Sequence, residues 1–299
     1  MLIESVPNIS EGRNLKLINS IVRKIKLLNS YLLKDIHYDY DHNRSVFTIV
    51  GKPSMVFESI HIIAQNVINL DINNHIGVHP RTGIIDVIPF IPVKNISYQK
   101  LIRMVDKFAM SFFRKYRIPV YLYYLSARKE KTRVLGKIRN KGIEFIKRLS
   151  LEDKEFIPDI FEDYIFHPTL GVTFIGVRPP LIAFNFNLHT PDVENVLNKA
   201  RKVANEIRES NGGIKNVQAL AFFLQSKNTV QLSINVLEAD KTDFFEIFQK
   251  IVKKLNENGL ILKETELVGC FPSSLIENIV KNVFKTNNFT IEKIVKFQK

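Results

Sequence analysis

"LIAFNFNLHTPDVENVLNKARKVANEIRESNGGIKNVQALAFFLQSKNTVQLSINVL" (181–237) decides the fold, because its hydrophobic period changes from two to 3.6 and back to two. "LIAFNFNL" (181–188) alternates apolar and polar residues and predicts a strand. In "TPDVENVLNKARKVANEIRES" (190–210), Val193, Val196, Leu197, Ala200, Val203, Ala204 and Ile207 share one helical face. Thr190 stands where an N-cap is wanted, Pro191 at the first helical position, and "NGG" (211–213) as the stop. Strands are predicted at 214–224 and 229–237, with "QSKN" as the turn between them. The amphipathic "DFFEIFQKIVKKLN" (243–256) and the strand "LILKETELVG" (260–269) complete the half. The order β-α-β-β-α-β is the split βαβ plan, ferredoxin-like in outline.

Working outward, residues 1–177 approximate the same plan. A strand at "MLIESVP" and a helix at 14–28 precede two strands, "YLLKDIHY" (31–38) and "SVFTIVG" (45–51), joined by the polar "DYDHNR". A second helix (54–70), a strand "IIDVIPFIPV" (84–93), a third helix (97–116) and "IPVYLYYL" (118–125) continue the sheet. The charged stretch 126–170 interrupts the periodicity and reads as a connector with one or two short helices. The expected architecture is α+β, in two subdomains, 1–177 and 178–299. Each is expected to be a mixed or antiparallel sheet with helices on one face.

Composition narrows the function classes. The 299 residues are 45% hydrophobic and 24% charged, ordinary for a globular protein. The N-terminus lacks a basic region ahead of an apolar core, so no signal peptide is expected. The apolar runs fall short of the roughly 20 residues that span a bilayer, so no membrane partner and a cytoplasmic location are expected. One cysteine, Cys270, excludes an intramolecular disulfide framework and a Cys-based zinc site. The net charge of +13 is spread along the chain, with crowding at 126–142 and 281–299. A solvated surface and a site for acidic small molecules rank above a nucleic-acid footprint, since no nucleic-acid-binding motif accompanies the charge.

Three loops carry candidate chemistry. "NNHIGVHPRTG" (73–83) holds His75 and His79 four apart, but Gly77 and Pro80 preclude a continuous helix and the glutamate of a metalloprotease helix is missing, so no metal is expected. Pro80 restricts His79 to extended backbone just before a buried strand, a position where function concentrates. "DYDHNR" (39–44) is either a hairpin turn or the source of a carboxylate or arginine. "VPNISEGRN" (6–14) is either a helix start with Ser10 as N-cap or a ligand-facing loop that offers Arg13 to an anion. A second His-Pro turn, "FHPTLGVTFIGV" (166–177), precedes another strand.

In order and approximate spacing, "VPNISEGRN", "DHNRSVFTIVG", "HIGVHPRTGIIDVIPFIPV", "IPVYLYYLSAR", "GVRPPLIAFNFNL" and "ELVG" resemble the formiminotransferase domain. That domain is the glutamate formimidoyltransferase half of the bifunctional formiminotransferase-cyclodeaminase, and the length leaves no room for the cyclodeaminase. The resemblance implies transfer of a formimino group from N-formimino-L-glutamate to tetrahydrofolate as co-substrate, a step of histidine breakdown, in a homodimer. It maps the catalytic histidine onto His79. It maps folate binding onto Glu162, Asp163, Tyr164, Ile165, Phe166, His167, Pro168, Thr169, Leu170 and Gly171. Val78 and His37 depart from the mammalian pattern, which has acidic residues there, so Asp35, Asp39 or Asp86 is expected to support His79. Both substrates carry carboxylates, for which Arg13, Arg44, Arg81 and Arg178 are the candidate contacts. Two other functions compete: a relative acting on 5-formyltetrahydrofolate, and a basic nucleic-acid-binding α+β protein.

Overall fold

The computed structural model describes residues 1–139 and 141–295. The basic crowding noted at 126–142 and 281–299 includes residues 140 and 296–299, which lie outside the described residues. The chain divides into two compact units, Met1–Arg178 and Pro179–Lys299.

The first unit runs β1 (Leu2–Ser5), β2 (Asn8–Ile9), α1 (Leu15–Leu28), β3 (Leu33–Asp39), β4 (Arg44–Gly51), α2 (Pro53–Val67), β5 (Ile85–Lys94), α3 (Tyr98–Tyr116), β6 (Val120–Leu122), α4 (Glu130–Arg133), α5 (Leu135–Arg139), α6 (Ile143–Glu152) and β7 (Thr173–Val177). β1 and β2 are one interrupted strand, since both pair antiparallel with β4 on one side and β5 on the other. With β3 beyond β4, the split βαβ plan is complete, and β7 then β6 extend it in parallel from β5. Alternation along the strands sorts their side chains between two faces. Ile3, Phe47, Ile49, Ile88, Phe90, Leu122 and Ile175 meet the apolar stripes of α1, α2 and α3 in the main core. On the opposite face Val87, Tyr121, Tyr123, Val172 and Phe174 pack with Ile138 of α5 and Ile146 of α6. Among its described residues the connector holds the short α-helices α4, α5 and α6, where one or two were expected, and α5 and α6 cover the parallel strands.

The second unit runs β8 (Ile182–Leu188), α7 (Val193–Ile207), β9 (Val217–Leu224), β10 (Thr229–Val236), α8 (Phe244–Glu257), β11 (Leu262–Val268) and α9 (Ser273–Phe284). Its sheet is wholly antiparallel, in the order β11-β8-β10-β9. Ile182, Phe184, Phe186 and Leu188 face the helices, while the intervening Asn185 and Asn187 form an amide ladder with Glu266 (3.0 Å) and Gln231 (2.9 Å). The whole is α+β in two sheet-and-helix units, as the hydrophobic periods predict, but the first sheet carries helices on both faces and not on one, because α5 and α6 of the charged connector cover its parallel strands.

Four helix signals resolve differently from the sequence expectation, the first being Pro191, which lies ahead of α7 and not at its first position. Asp192, not Thr190, caps α7, its carboxylate accepting from Asn195 N (3.1 Å). Thr190 instead donates to the Leu188 carbonyl and accepts from Val230 N, tying the chain to β10. α7 also ends before "NGG": Arg208 turns extended, and Gly212, at φ +80°, closes a separate short 3-10 turn at Glu209–Asn211. Ser10 is not an N-cap. Its hydroxyl donates to the Gly83 carbonyl (2.8 Å), and Asn14 caps α1 through Leu17 N (3.0 Å).

Candidate functional site

Asn43 knits three loops together just before β4 begins. The β3–β4 turn needs a left-handed residue, and Asn43 supplies it at φ +47°, a conformation asparagine tolerates better than most side chains. Its side-chain oxygen accepts from Gly12 N (2.9 Å), its amide donates to the Ile76 carbonyl (3.1 Å), and its own carbonyl accepts from His75 Nε2 (2.7 Å). Gly12 has to be glycine, because a Cβ there would sit 2.3 Å from the Asp39 carbonyl and 2.5 Å from Arg44 N. Val78 N donates to the Asp41 carbonyl, and Ser45 Oγ to the Glu11 carbonyl. The loops 6–14, 39–44 and 73–83 thus form one rigid block. Asn43→Ala removes two buried hydrogen bonds and strains the turn. It is expected to cost about 1–3 kcal/mol in urea unfolding and to lower kcat/KM through the displaced loops.

His79 sits on this block among cations. Its Nδ1 lies 2.8 Å from the Pro80 carbonyl and its Nε2 lies 3.0 Å from Arg44 Nη1. A carbonyl only accepts and a guanidinium only donates, so Nδ1 carries the proton and Nε2 presents its lone pair to Arg44. Arg139 Nη2 stands 3.4 Å from Nδ1, and the His42 ring meets the His79 ring edge-on at 5.7 Å. Burial first, then the charges of Arg44 and Arg139, hold the imidazole well below its ordinary 6.5, against a smaller opposing effect of the Pro80 carbonyl. His79 is therefore a neutral base at pH 7.

Asp86 is placed by a defect in the sheet. Asn8 faces Val87 and Ile9 faces Ile85, so Asp86 is the extra residue of a β-bulge, a device that re-aims a side chain. Its carboxylate accepts from Thr82 N (3.0 Å), Thr82 Oγ1 (2.7 Å) and Arg139 Nε (2.8 Å), and also pairs with Arg139 Nη2. These partners hold its carboxyl below the usual range despite burial, with Arg139 the largest of them. Of the three expected supports, Asp86 reaches His79 through Arg139. Asp39 accepts from His42 N (2.9 Å) in the β3–β4 turn. Asp35 lies further back on β3, opposite Thr48, with His37 opposite Val46.

The four candidate arginines occupy different places. Arg44 contacts His79, and burial, then Arg139, lower its pKa to about 9. Arg81 donates to the His75 carbonyl, and its Nε is buried without a hydrogen-bond partner among the described residues. Arg13 lies 4.6 Å over the Tyr40 ring and donates to the Tyr40 carbonyl (3.0 Å). Arg178, at the end of β7, bonds the hydroxyl of Tyr123, whose pKa burial pushes up to about 12, and stands near Glu4. Segment 162–171 is anchored at both ends. Arg117 binds Glu162 (2.5 Å) and Asp163 (2.8 Å), and Tyr164 donates to the Arg117 carbonyl. Further on, the Pro168, Thr169 and Leu170 carbonyls accept from Asn73, Ile72 and Ile84. In the second His-Pro turn, His167 Nδ1 accepts from Thr169 N and Leu170 N.

Residues 2–178 match the family description "Formiminotransferase domain, N-terminal subdomain", and residues 183–297 match "Formiminotransferase domain". The chain belongs to the formiminotransferase family. Similarity to named family members extends end to end. The glutamate formimidoyltransferase of Streptococcus pyogenes serotype M1 is 32% identical over 98% of this chain and 96% of that protein. Its namesake in Thermoplasma acidophilum is 32% identical over 96% and 94%. The pig formimidoyltransferase-cyclodeaminase (Sus scrofa) is also 32% identical, over 97% of this chain and 54% of that protein.

Within this formiminotransferase, reading the sequence missed Arg139 and Thr82. Arg139 lies in the connector, one of many basic residues there, and no local pattern distinguishes it. Among the described residues no group of three or more His, Cys, Asp or Glu side chains is assembled to hold a metal ion. Nor is any helix among them long and apolar enough to cross a membrane.

The histidines also set a pH dependence. Burial lowers the folded-state pKa of His61, His75, His79 and His167 alike. Between those values and about 6.5 the unfolded chain binds more protons than the folded one, so stability falls as pH drops through this window. Thermal unfolding at pH 7.5, 6.5 and 5.5 is expected to show a declining midpoint; a flat profile would contradict it.

Proposed function

We infer that this chain is a glutamate formimidoyltransferase, moving the formimino group from N-formimino-L-glutamate to tetrahydrofolate and releasing L-glutamate. The observation that carries this reading is similarity over nearly the full length of two proteins of that name. The two units act as the subdomains of the transferase, working as a cytoplasmic homodimer.

The chemistry assigned to His79 follows from its surroundings. A formimino group is an amidine, largely protonated near neutral pH, so its carbon is already electrophilic. Attack by N5 of tetrahydrofolate gives a tetrahedral carbon bearing three nitrogens. His79 Nε2 takes the proton lost by N5 and returns it to the departing glutamate nitrogen, so the proton count is unchanged. The Pro80 carbonyl holds Nδ1–H throughout and keeps Nε2 as the working atom. A conjugate acid of depressed pKa delivers its proton readily, which favours the second transfer.

Arg44 and Arg81 lie on the same loop block and are the first contacts to expect for the donor's carboxylates, with Arg13 and Arg178 as further anion contacts. Segment 162–171, packed behind the His79 loop, serves as a wall for folate. The test is glutamate release from formiminoglutamate, with and without tetrahydrofolate. Turnover that requires both supports the reading. Binding and turnover of 5-formyltetrahydrofolate alone would favour the second folate function, and neither activity would remove both.

A further inference from the structure

A base whose lone pair already accepts a hydrogen bond cannot take a proton. In this structure the lone pair of His79 Nε2 faces Arg44 Nη1 at 3.0 Å, while Nδ1–H is committed to the Pro80 carbonyl. The working atom of the base is therefore covered, and the cover is a buried cation.

That cation is poorly satisfied where it lies. Among the described residues Arg44 forms no ion pair, and its Nε is buried with no hydrogen-bond partner. The carboxylate acting on it, Asp86, is fully engaged by Arg139 and by two donors of Thr82. A guanidinium offers a planar fork of donors that matches a carboxylate in two parallel bonds. The buried Nε–H of Arg44 is unused, so an arriving carboxylate would gain two charge-assisted bonds where the imidazole receives one.

We propose that Arg44 is a removable cap on the His79 base: the carboxylate of the glutamyl donor draws the guanidinium away and bares Nε2 for proton transfer. The inference rests on the transferase reading and assigns Arg44 two roles in it, binding the donor and withholding the base until the donor is present. Among the groups facing His79 are Arg44 from β4, Arg139 from α5, His42 from the β3–β4 turn and, behind Arg139, Asp86 from β5. Of these, Arg44 alone meets the lone pair. Its departure and the incoming negative charge both favour the protonated imidazole. The base therefore strengthens when substrate binds, and stays weak in the empty site, where its neighbours hold it well below 6.5.

The probe is glutarate, which carries both carboxylates of the donor's five-carbon skeleton and no nitrogen to react. A crystal structure of the glutarate complex is expected to show a carboxylate on Arg44 and the Arg44–His79 separation opened beyond hydrogen-bonding reach, past about 3.5 Å. NMR titration of the histidine rings is expected to show the proton affinity of His79 rising by about tenfold or more on saturation. In Arg44→Gln the free protein should already show the higher affinity. Should that variant not fold, Arg44→Lys, which keeps the charge but loses the fork, should bind glutarate at least about tenfold more weakly.

Glutarate bound with the Arg44–His79 contact intact overturns the cap, and so does failure of glutarate to bind. Formiminoglutamate turnover separates the two readings. Turnover with a closed contact in the complex removes only the cap, whereas an opened contact without turnover removes only the assigned reaction.

Discussion

Replacing His79 with alanine is expected to lower kcat by about 10²–10⁴-fold, the usual worth of positioned acid-base help, while leaving folate binding within a few-fold of the parent. The Pro80 carbonyl and Arg44 hold the ring, so its loss is expected to delete the proposed proton carrier without dismantling the proposed folate wall. Calorimetry with folinic acid and steady-state assay of formiminoglutamate turnover are the paired measurements. An unaltered kcat would move the proton carrier to another group. Equal loss of binding and rate would mean that His79 holds the site together instead of reacting. The pH profile gives a second readout: kcat/KM reports the free protein, so its acid limb is expected below pH 6.5, in line with the cationic surroundings of the ring.

The second large effect falls on the Asp86–Arg139 pair. Both side chains are buried, 3% and 12% exposed, and each is the other's principal counter-charge. Arg139→Ala takes from a buried carboxylate its paired cation and leaves it the two hydrogen bonds of Thr82 and the more distant charge of Arg44, and breaking a buried pair from one side typically costs about 3–5 kcal/mol. Urea unfolding is expected to show a loss of that size near neutral pH. The sign of the pH dependence follows from the depressed carboxyl. The pair's contribution is present above the unfolded value of about 3.9 and is lost as pH falls through the lower folded value. The gap between parent and variant should thus persist at pH 5 and narrow only in stronger acid. Removing Arg139 also takes a cation from beside His79, so NMR should find that ring easier to protonate. A stable variant with an unmoved His79 titration would show that the pair neither braces the bulge nor tunes the base.

Much of the fold was legible because burial leaves a period in the chain. "LIAFNFNL" alternates since Phe184 and Phe186 enter the core while Asn185 and Asn187 build a ladder on the other face. α7 and α8 carry their stripes at helical spacing for the same reason. Capping signals proved weaker guides than periodicity. Thr190 and Asp192 are both competent N-caps by residue type, and Ser10 is as good a cap as Asn14. Which oxygen meets the helix depends on what else lies near, and β10 and the Gly83 carbonyl claimed the other two.

The candidate site divides along a similar line. The sequence by itself determined the two sheet-and-helix units, the His-Pro turn ahead of a buried strand, and the family likeness that singles out His79, because each of these is written in local patterns whose order along the chain can be read directly. Only the tertiary structure decided that Arg44 covers the ring, that Arg139 from the connector stands beside it, and that Asp86 reaches it through that arginine. The reason is physical: charge acts across space, over distances of about 3 Å, between residues 35 to 60 positions apart in the chain. A one-residue bulge, which leaves no mark in composition or period, is what aims the carboxylate.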